Sequence, residues 1–390
     1  MSERTAVAVV LSAGVLAAVS LGKFSPFLDQ VREGFHLSLT GAGWLTSSIT
    51  AVAAVAATPV GRWAGAGRAR SALALGLVII GLSGLVTSVF VDAAWQLFLA
   101  RLLEALGYVA IMVAGPALLA DVRDEAVRKW ALALWGMCIP AGLAAAAAAG
   151  GLMAGAGWRA WLVAPALASF LLAVTAYRVV PPWAAVPGAG SGEESVAPAA
   201  RLRPPVWLLA CGFALVSMVG LAVVTLLPDF LSSEQDLPQG RAGALTSVVA
   251  AGSIVGTVAA GLLTRRGARS ESLFVSALSM PLLGAGIFLG PTWLVCFVAA
   301  ALLMVVNGLV VASVFSALPG VAGVSGTGTA AGMVTQIGSL GTLLGPPLFG
   351  AAKELAGWWA TLPLMTMTVV PGAVALSLAV RRGAEAAAEG

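Results

Sequence analysis

Apolar residues run along this chain in blocks too long for a soluble core, and the polar positions are gathered between the blocks. No charged side chain occurs from Ser71 to Val91, from Trp130 to Trp158 or from Ser272 to Ala352. A helix at the surface of a soluble protein shows water a polar face on every turn. The last of these stretches is long enough for about three membrane crossings at roughly 20 apolar residues each. Segmenting the blocks predicts twelve spans, at residues 5–27, 39–60, 71–91, 94–119, 130–155, 159–179, 206–228, 241–263, 272–289, 292–318, 329–351 and 359–380. The fold class is therefore an all-α integral membrane protein.

The spans form two sets of six. "AGWLTSS" from Ala42 returns as "AGALTSV" from Ala242, 200 positions later. In the same register Gly61 and Gly67 match Gly261 and Gly267, and "GWRA" from Gly157 matches "GWWA" from Gly357. One such match means little in a chain rich in Ala and Gly, but three in one register indicate a duplicated unit and two bundles in parallel orientation. Between them "PPWAAVPGAGSGEESVAPAARLRPP" has the Pro, Gly and Ser content of a linker. The expected organisation is a first bundle at 1–180, a cytoplasmic linker at 181–205 and a second bundle at 206–390.

Composition agrees: 59% of residues are hydrophobic and 10% charged, against about 25% charged in soluble proteins. The net charge of +4 does not indicate a nucleic-acid partner, because the basic residues are spread over the short segments between spans. With the amino end inside, fifteen basic residues fall on the cytoplasmic side and four, Arg32, Arg159, Arg241 and Lys353, on the other. That bias places both termini in the cytoplasm. The apolar run near the amino end is too long for a cleaved leader and is read as a retained first span. Cys138, Cys211 and Cys296 all lie in apolar runs, and His36 is the single histidine, so neither a disulfide framework nor a metal site is expected. "GTGTAA" from Gly326 has no strand before it, and Gly22-Lys23 lacks the earlier glycine of a phosphate-binding loop, so no nucleotide cofactor is expected.

Two six-span repeats, a central linker and the short basic glycine segment "GRWAGAGRAR" from Gly61, echoed by "GLLTRRGAR" from Gly261, resemble the major facilitator superfamily of secondary transporters. The acidic residue usual in that segment is missing, its place taken by Gly65 or a neighbour. "RLLEALG" from Arg101 resembles the family's arginine motif in the fourth span, with Glu104 and Ala105 where Gln-Gly is usual. "GTLLGPPLFG" from Gly341 resembles the glycine-proline motif of antiporters, although that motif belongs to the fifth span. The amino-terminal pattern also resembles the cyanate-permease and nitroimidazole-transporter branch. The resemblance implies alternating access, with Gly61, Gly67, Arg68, Gly261, Gly267, Pro140, Gly345 and Pro346 as gating positions; the small residues and prolines also suit plain helix packing.

Three charged side chains lie away from the ends of the spans: Lys23, Arg101 and Glu104. Ionisable groups in a membrane mark pathways by default. Arg101 and Glu104 share a helical face and form either a neutral structural pair or part of a site. Lys23 either snorkels to the interface or is offset by an anion. The superfamily resemblance implies that the first, fourth, seventh and tenth spans line a central cavity. Lys23, Arg101 and Tyr108 would then contribute to substrate binding, with Ser217, Thr225 and Asn307 offering polar contacts. Glu104, read as the single deep acid, is the proton-coupling candidate. The resulting expectation is a monomeric inner-membrane transporter, not an enzyme, that moves a small organic anion with protons. A drug-efflux antiporter and a receptor without transport are the alternatives.

Overall fold

The structure, a computed structural model, describes residues 3–65, 68–124, 127–128, 131, 134–181, 204–322 and 327–388. Every regular element among them is helical: α1 (Glu3–Gly22), α2 (Leu28–Phe35), α3 (Leu39–Gly65), α4 (Ala69–Phe90), α5 (Ala94–Ala120), α6 (Cys138–Leu152), α7 (Trp158–Val179), α8 (Pro204–Ser233), α9 (Gln239–Arg265), α10 (Ser270–Val275), α11 (Met280–Phe288), α12 (Trp293–Ala322), α13 (Thr327–Ala356) and α14 (Thr361–Ala388). Each predicted span falls on one or two of these helices. Nine helical stretches among the described residues are long and apolar enough to cross a membrane, and Leu39–Val55 and Cys138–Leu152 are shorter apolar helices. Large apolar side chains such as Phe90, Leu171, Leu282 and Met367 are exposed on these helices, as a lipid-facing surface requires. Apart from Pro181, Pro204 and Pro205, the expected linker lies outside the described residues.

The duplication is written into the backbone. Gly157 (φ 81°, ψ 161°) and Gly357 (φ 84°, ψ 176°) precede the helical turns that start at Trp158 and Trp358. Both conformations belong to a region open essentially to glycine alone. His36 and Asp236 also stand 200 residues apart, and both have φ of 51°.

Two compact units emerge. The first gathers the described residues of Met1–Leu37, Ser48–Ser195 and Gln239–Ser247, the second those of Ser38–Ser47, Val196–Pro238 and Val248–Gly390. The opening turns of α3 and α9 thus group differently from the expected 1–180 and 206–390 division. In the first unit, α1 packs on α5, α6 and α7, and α4 packs on α5 and α7. A Cβ on Gly22 would meet Leu143 Cδ2 at 2.9 Å, and one on Gly243 would meet Gly151 Cα at 2.9 Å. In the second unit, α8 packs on α12, α13 and α14. Gly341 and Gly345 lie directly against the carbonyls of Ala214 and Met218 on α8. The opening turn of α3 lies against α13, where a Cβ on Gly43 would meet Pro347 Cα at 2.6 Å. Glu354 caps that turn, accepting from Thr40 N–H at 2.8 Å and from its hydroxyl at 2.7 Å.

Candidate functional site

The first span is helical from Glu3 to Phe35 but interrupted at its most polar point. α1 stops at Gly22, Lys23 and Phe24 form a turn, Ser25–Phe27 is a single 3-10 turn, and α2 resumes at Leu28. The uninterrupted helix expected over 5–27 is corrected here. Gly22 weakens the helix, and Pro26 has no N–H to donate and crowds the preceding turn. A broken span frees carbonyls that lipid cannot satisfy. Arg101 Nη1 donates to Ser20 O at 2.8 Å, and Trp161 Nε1 donates to Lys23 O at 2.9 Å. α5 and α7 therefore supply the bonds that the break takes away.

Glu104, on α5, joins both cations. Its Oε1 accepts from Lys23 Nζ at 2.6 Å and its Oε2 from Arg101 Nη1 at 2.9 Å. Lys23 is 3%, Arg101 1% and Glu104 1% exposed, so Lys23 does not snorkel in this structure. The Phe24 ring lies 5.3 Å from Lys23 Nζ and 5.1 Å from Arg101 Cζ, within the range in which an aromatic face attracts a cation. One carboxylate is thus shared by two buried cations. An ammonium has three donors, and the hydrogen bond to Glu104 is the one that Lys23 Nζ makes among the described residues. In the same break the Ser25 hydroxyl is buried without a hydrogen-bond partner among the described residues.

The remaining site candidates lie on other turns and helices of the two units. Tyr108 is buried on α5, one turn beyond Glu104. In the second unit, Asn307 of α12 lies against Gly220 of α8, where a Cβ would meet its Oδ1 at 2.8 Å. Among the described residues Asn307 Nδ2 and Ser217 Oγ are buried without hydrogen-bond partners, and Thr225 is buried. Gly61 is in α3, Gly67 lies outside the described residues, and Arg68 is exposed just before α4. Gly261 is exposed on α9, and Gly267 (φ 86°) ends the turn after it. Pro140 is half-buried near the start of α6, and Gly345 and Pro346 are buried in α13. The glycine-proline segment thus serves as the surface on which α13 meets α8 and α3, a packing role that calls for no antiport.

α8 runs beyond the expected end at residue 228 and carries Asp229, which is 3% exposed. Glu104 is therefore not the single deep acid. Asp229 stands one residue past the expected span of 206–228. Phe24, Ser25 and Trp161 also escaped sequence reading; the signal was Gly22 and Pro26 flanking a lysine. Among the described residues no group of His, Cys, Asp and Glu is placed to hold a metal.

The superfamily model named Major Facilitator Superfamily matches residues 10–346. Monocarboxylate transporter 11 of Mus musculus is 30% identical, over 89% of this chain and 79% of its own length. Two structures of a bacterial homolog to the human lysosomal transporter Spinster share the fold. The inward-facing and occupied one has TM-score 0.76 and 17% identity over 97% of this chain and 92% of that one. The unoccupied one has TM-score 0.77 and 16% identity over 99% and 98%. The D-xylose-proton symporter has TM-score 0.74 and 14% identity over 97% of each chain. The chain is a multi-pass membrane protein that belongs to the Major Facilitator Superfamily, a family of transporters and not of enzymes.

Proposed function

We propose that this transporter carries a small organic monoanion together with a proton, and that the ion cluster at the break in the first span is where the anion binds. The observation that carries the reading is the buried meeting of Lys23 and Arg101 on the one carboxylate of Glu104, with Lys23 Nζ making a single hydrogen bond among the described residues. A desolvated lysine with unused donors, beside an arginine, attracts an anion more strongly than any neutral solute. The similarity to a monocarboxylate transporter supports the same class of substrate.

Charge balance suggests the coupling. An incoming carboxylate competes with Glu104 for Lys23. A proton on Glu104 ends its claim as an anion, so Lys23 and Arg101 turn to the substrate carboxylate. The proton and the anion enter together, and the cluster keeps its charge. Without the proton, the anion would add a second negative charge beside Glu104, a like-charge contact that low dielectric makes costly. The excess of basic residues on one side supports both termini lying in the cytoplasm and insertion in the inner membrane.

The test uses purified protein in sealed liposomes, a panel of labelled short monocarboxylates and an imposed pH gradient. The reading predicts saturable accumulation of at least one acid above the level in empty liposomes, collapsed by a protonophore. Uptake of lipophilic cations alone would favour efflux, and binding without flux a receptor; either result defeats the proposal.

A further inference from the structure

The second unit holds a groove unrelated to the ion cluster. It has a volume of about 470 Å³ and is lined by Pro204, Trp207, Leu208 and Cys211 of α8 and by Arg382 near the end of α14. Its origin is a pinch between two helices. At Gly212 an added Cβ would meet Gly372 O and Leu376 Cγ, both at 2.9 Å, so α8 and α14 approach each other closely there. Arg382 lies ten residues beyond Gly372, about 15 Å along a helix, and Pro204 precedes Gly212 by two turns. The helices part over that distance, leaving a wedge with apolar walls and a cation at its wide end.

We propose that this groove binds an anionic phospholipid, with the acyl chain along Trp207, Leu208 and Cys211 and the phosphate on Arg382. Each part of the lining suits one part of such a lipid. Trp207 is 43% exposed, and an amphipathic indole belongs at the level where headgroup meets acyl chain. Arg382 is exposed and has no ion pair among the described residues, whereas its neighbour Arg381 is matched by Glu271 at 3.6 Å. A guanidinium at the mouth of an apolar groove pairs with a phosphate in two parallel hydrogen bonds. A zwitterionic lipid brings a positive group of its own to the arginine and therefore occupies the groove less. The groove also adjoins the first residues of α8, where the chain enters the second bundle, so its occupant braces that entry.

Cys211 gives a local readout, because it is exposed in the groove while Cys138 and Cys296 are buried. The full chain is placed in nanodiscs of phosphatidylcholine with or without phosphatidylglycerol. Alkylation of Cys211 by N-ethylmaleimide, a neutral reagent, is followed by peptide mass spectrometry. An occupied groove should slow the reaction about threefold or more in the anionic discs, since a bound lipid leaves only the empty fraction reactive. Arg382→Gln should remove the protection. Arg381→Gln, which lowers the charge equally but lies outside the groove, should keep it. Equal rates in the two kinds of disc, or equal loss of protection in both variants, would overturn the proposal. So would protection by soluble glycerol phosphate in phosphatidylcholine discs, which would make the site one for free phosphate.

Discussion

Glu104→Gln should destabilise the folded protein more than any other single change in the ion cluster. The glutamate oxygens stand 2.6 Å from Lys23 Nζ and 2.9 Å from Arg101 Nη1, and all three side chains are buried. Removing one partner of a buried ion pair costs about 3–5 kcal/mol, because the other charge stays desolvated. Here two cations are left, 5.3 and 5.1 Å from the Phe24 ring, and they also repel each other. A glutamine oxygen still accepts from one of them, which sets the expected loss near the lower end, about 3 kcal/mol, or roughly a hundredfold in the unfolding equilibrium. Lys23→Gln should cost less, since Glu104 keeps Arg101 and the new amide donates to the free oxygen. The assay is equilibrium unfolding of the three proteins in mixed micelles at one pH and salt. A Glu104→Gln protein within about 0.5 kcal/mol of the parent, the size of an ordinary surface substitution, would refute the electrostatic reasoning.

Three further outcomes follow from the geometry. Glu354 lies beyond the apolar part of α13; partial burial raises its carboxyl, but the hydrogen bonds from Thr40 outweigh that and hold it below the usual value. The stability it contributes is present above the ordinary carboxylate value of about 4.3 and is lost as pH falls through its lower folded value. Unfolding temperature measured against pH should show a step there in the parent that Glu354→Gln lacks. Gly157→Ala and Gly357→Ala should each cost about 1–3 kcal/mol in the same unfolding assay, because both backbones sit where a Cβ is strained. Gly345→Leu should abolish assembly of α13 on α8, seen as loss of a monodisperse peak in size-exclusion chromatography, since the Met218 carbonyl it would strike is backbone and cannot rotate away.

The spans were legible because lipid imposes a long apolar signal that local sequence carries in full. The duplication was legible where identity survived, at Gly157 and Gly357, since only glycine serves that backbone. It was illegible at His36 and Asp236, which share a φ of 51° but no chemistry. The i,i+3 pairing of Arg101 and Glu104 could be read from one helix. Lys23 stands 81 residues from Glu104, and nothing in either segment tells a lysine whether its counter-charge is a ligand or a distant side chain. Trp161 and Phe24 were hidden for the same reason: a tryptophan donor and an aromatic face acquire meaning only when packing brings a broken helix beside them. Asp229 was missed because a charge at the edge of an apolar run marks the end of the signal, whereas the helix itself continues to Ser233.

The most direct test of the central claim is the affinity of a transported monocarboxylate for the parent, Lys23→Gln and Lys23→Arg at fixed pH and salt. If Lys23 meets the substrate carboxylate, Lys23→Gln should weaken binding by about 2–5 kcal/mol, the cost of losing one member of a desolvated, hydrogen-bonded charge pair. Lys23→Arg should fall between, because the charge remains while its shape changes. An affinity for Lys23→Gln within about twofold of the parent, well under about 1 kcal/mol, would leave Lys23 as a structural partner of Glu104 alone and contradict the account.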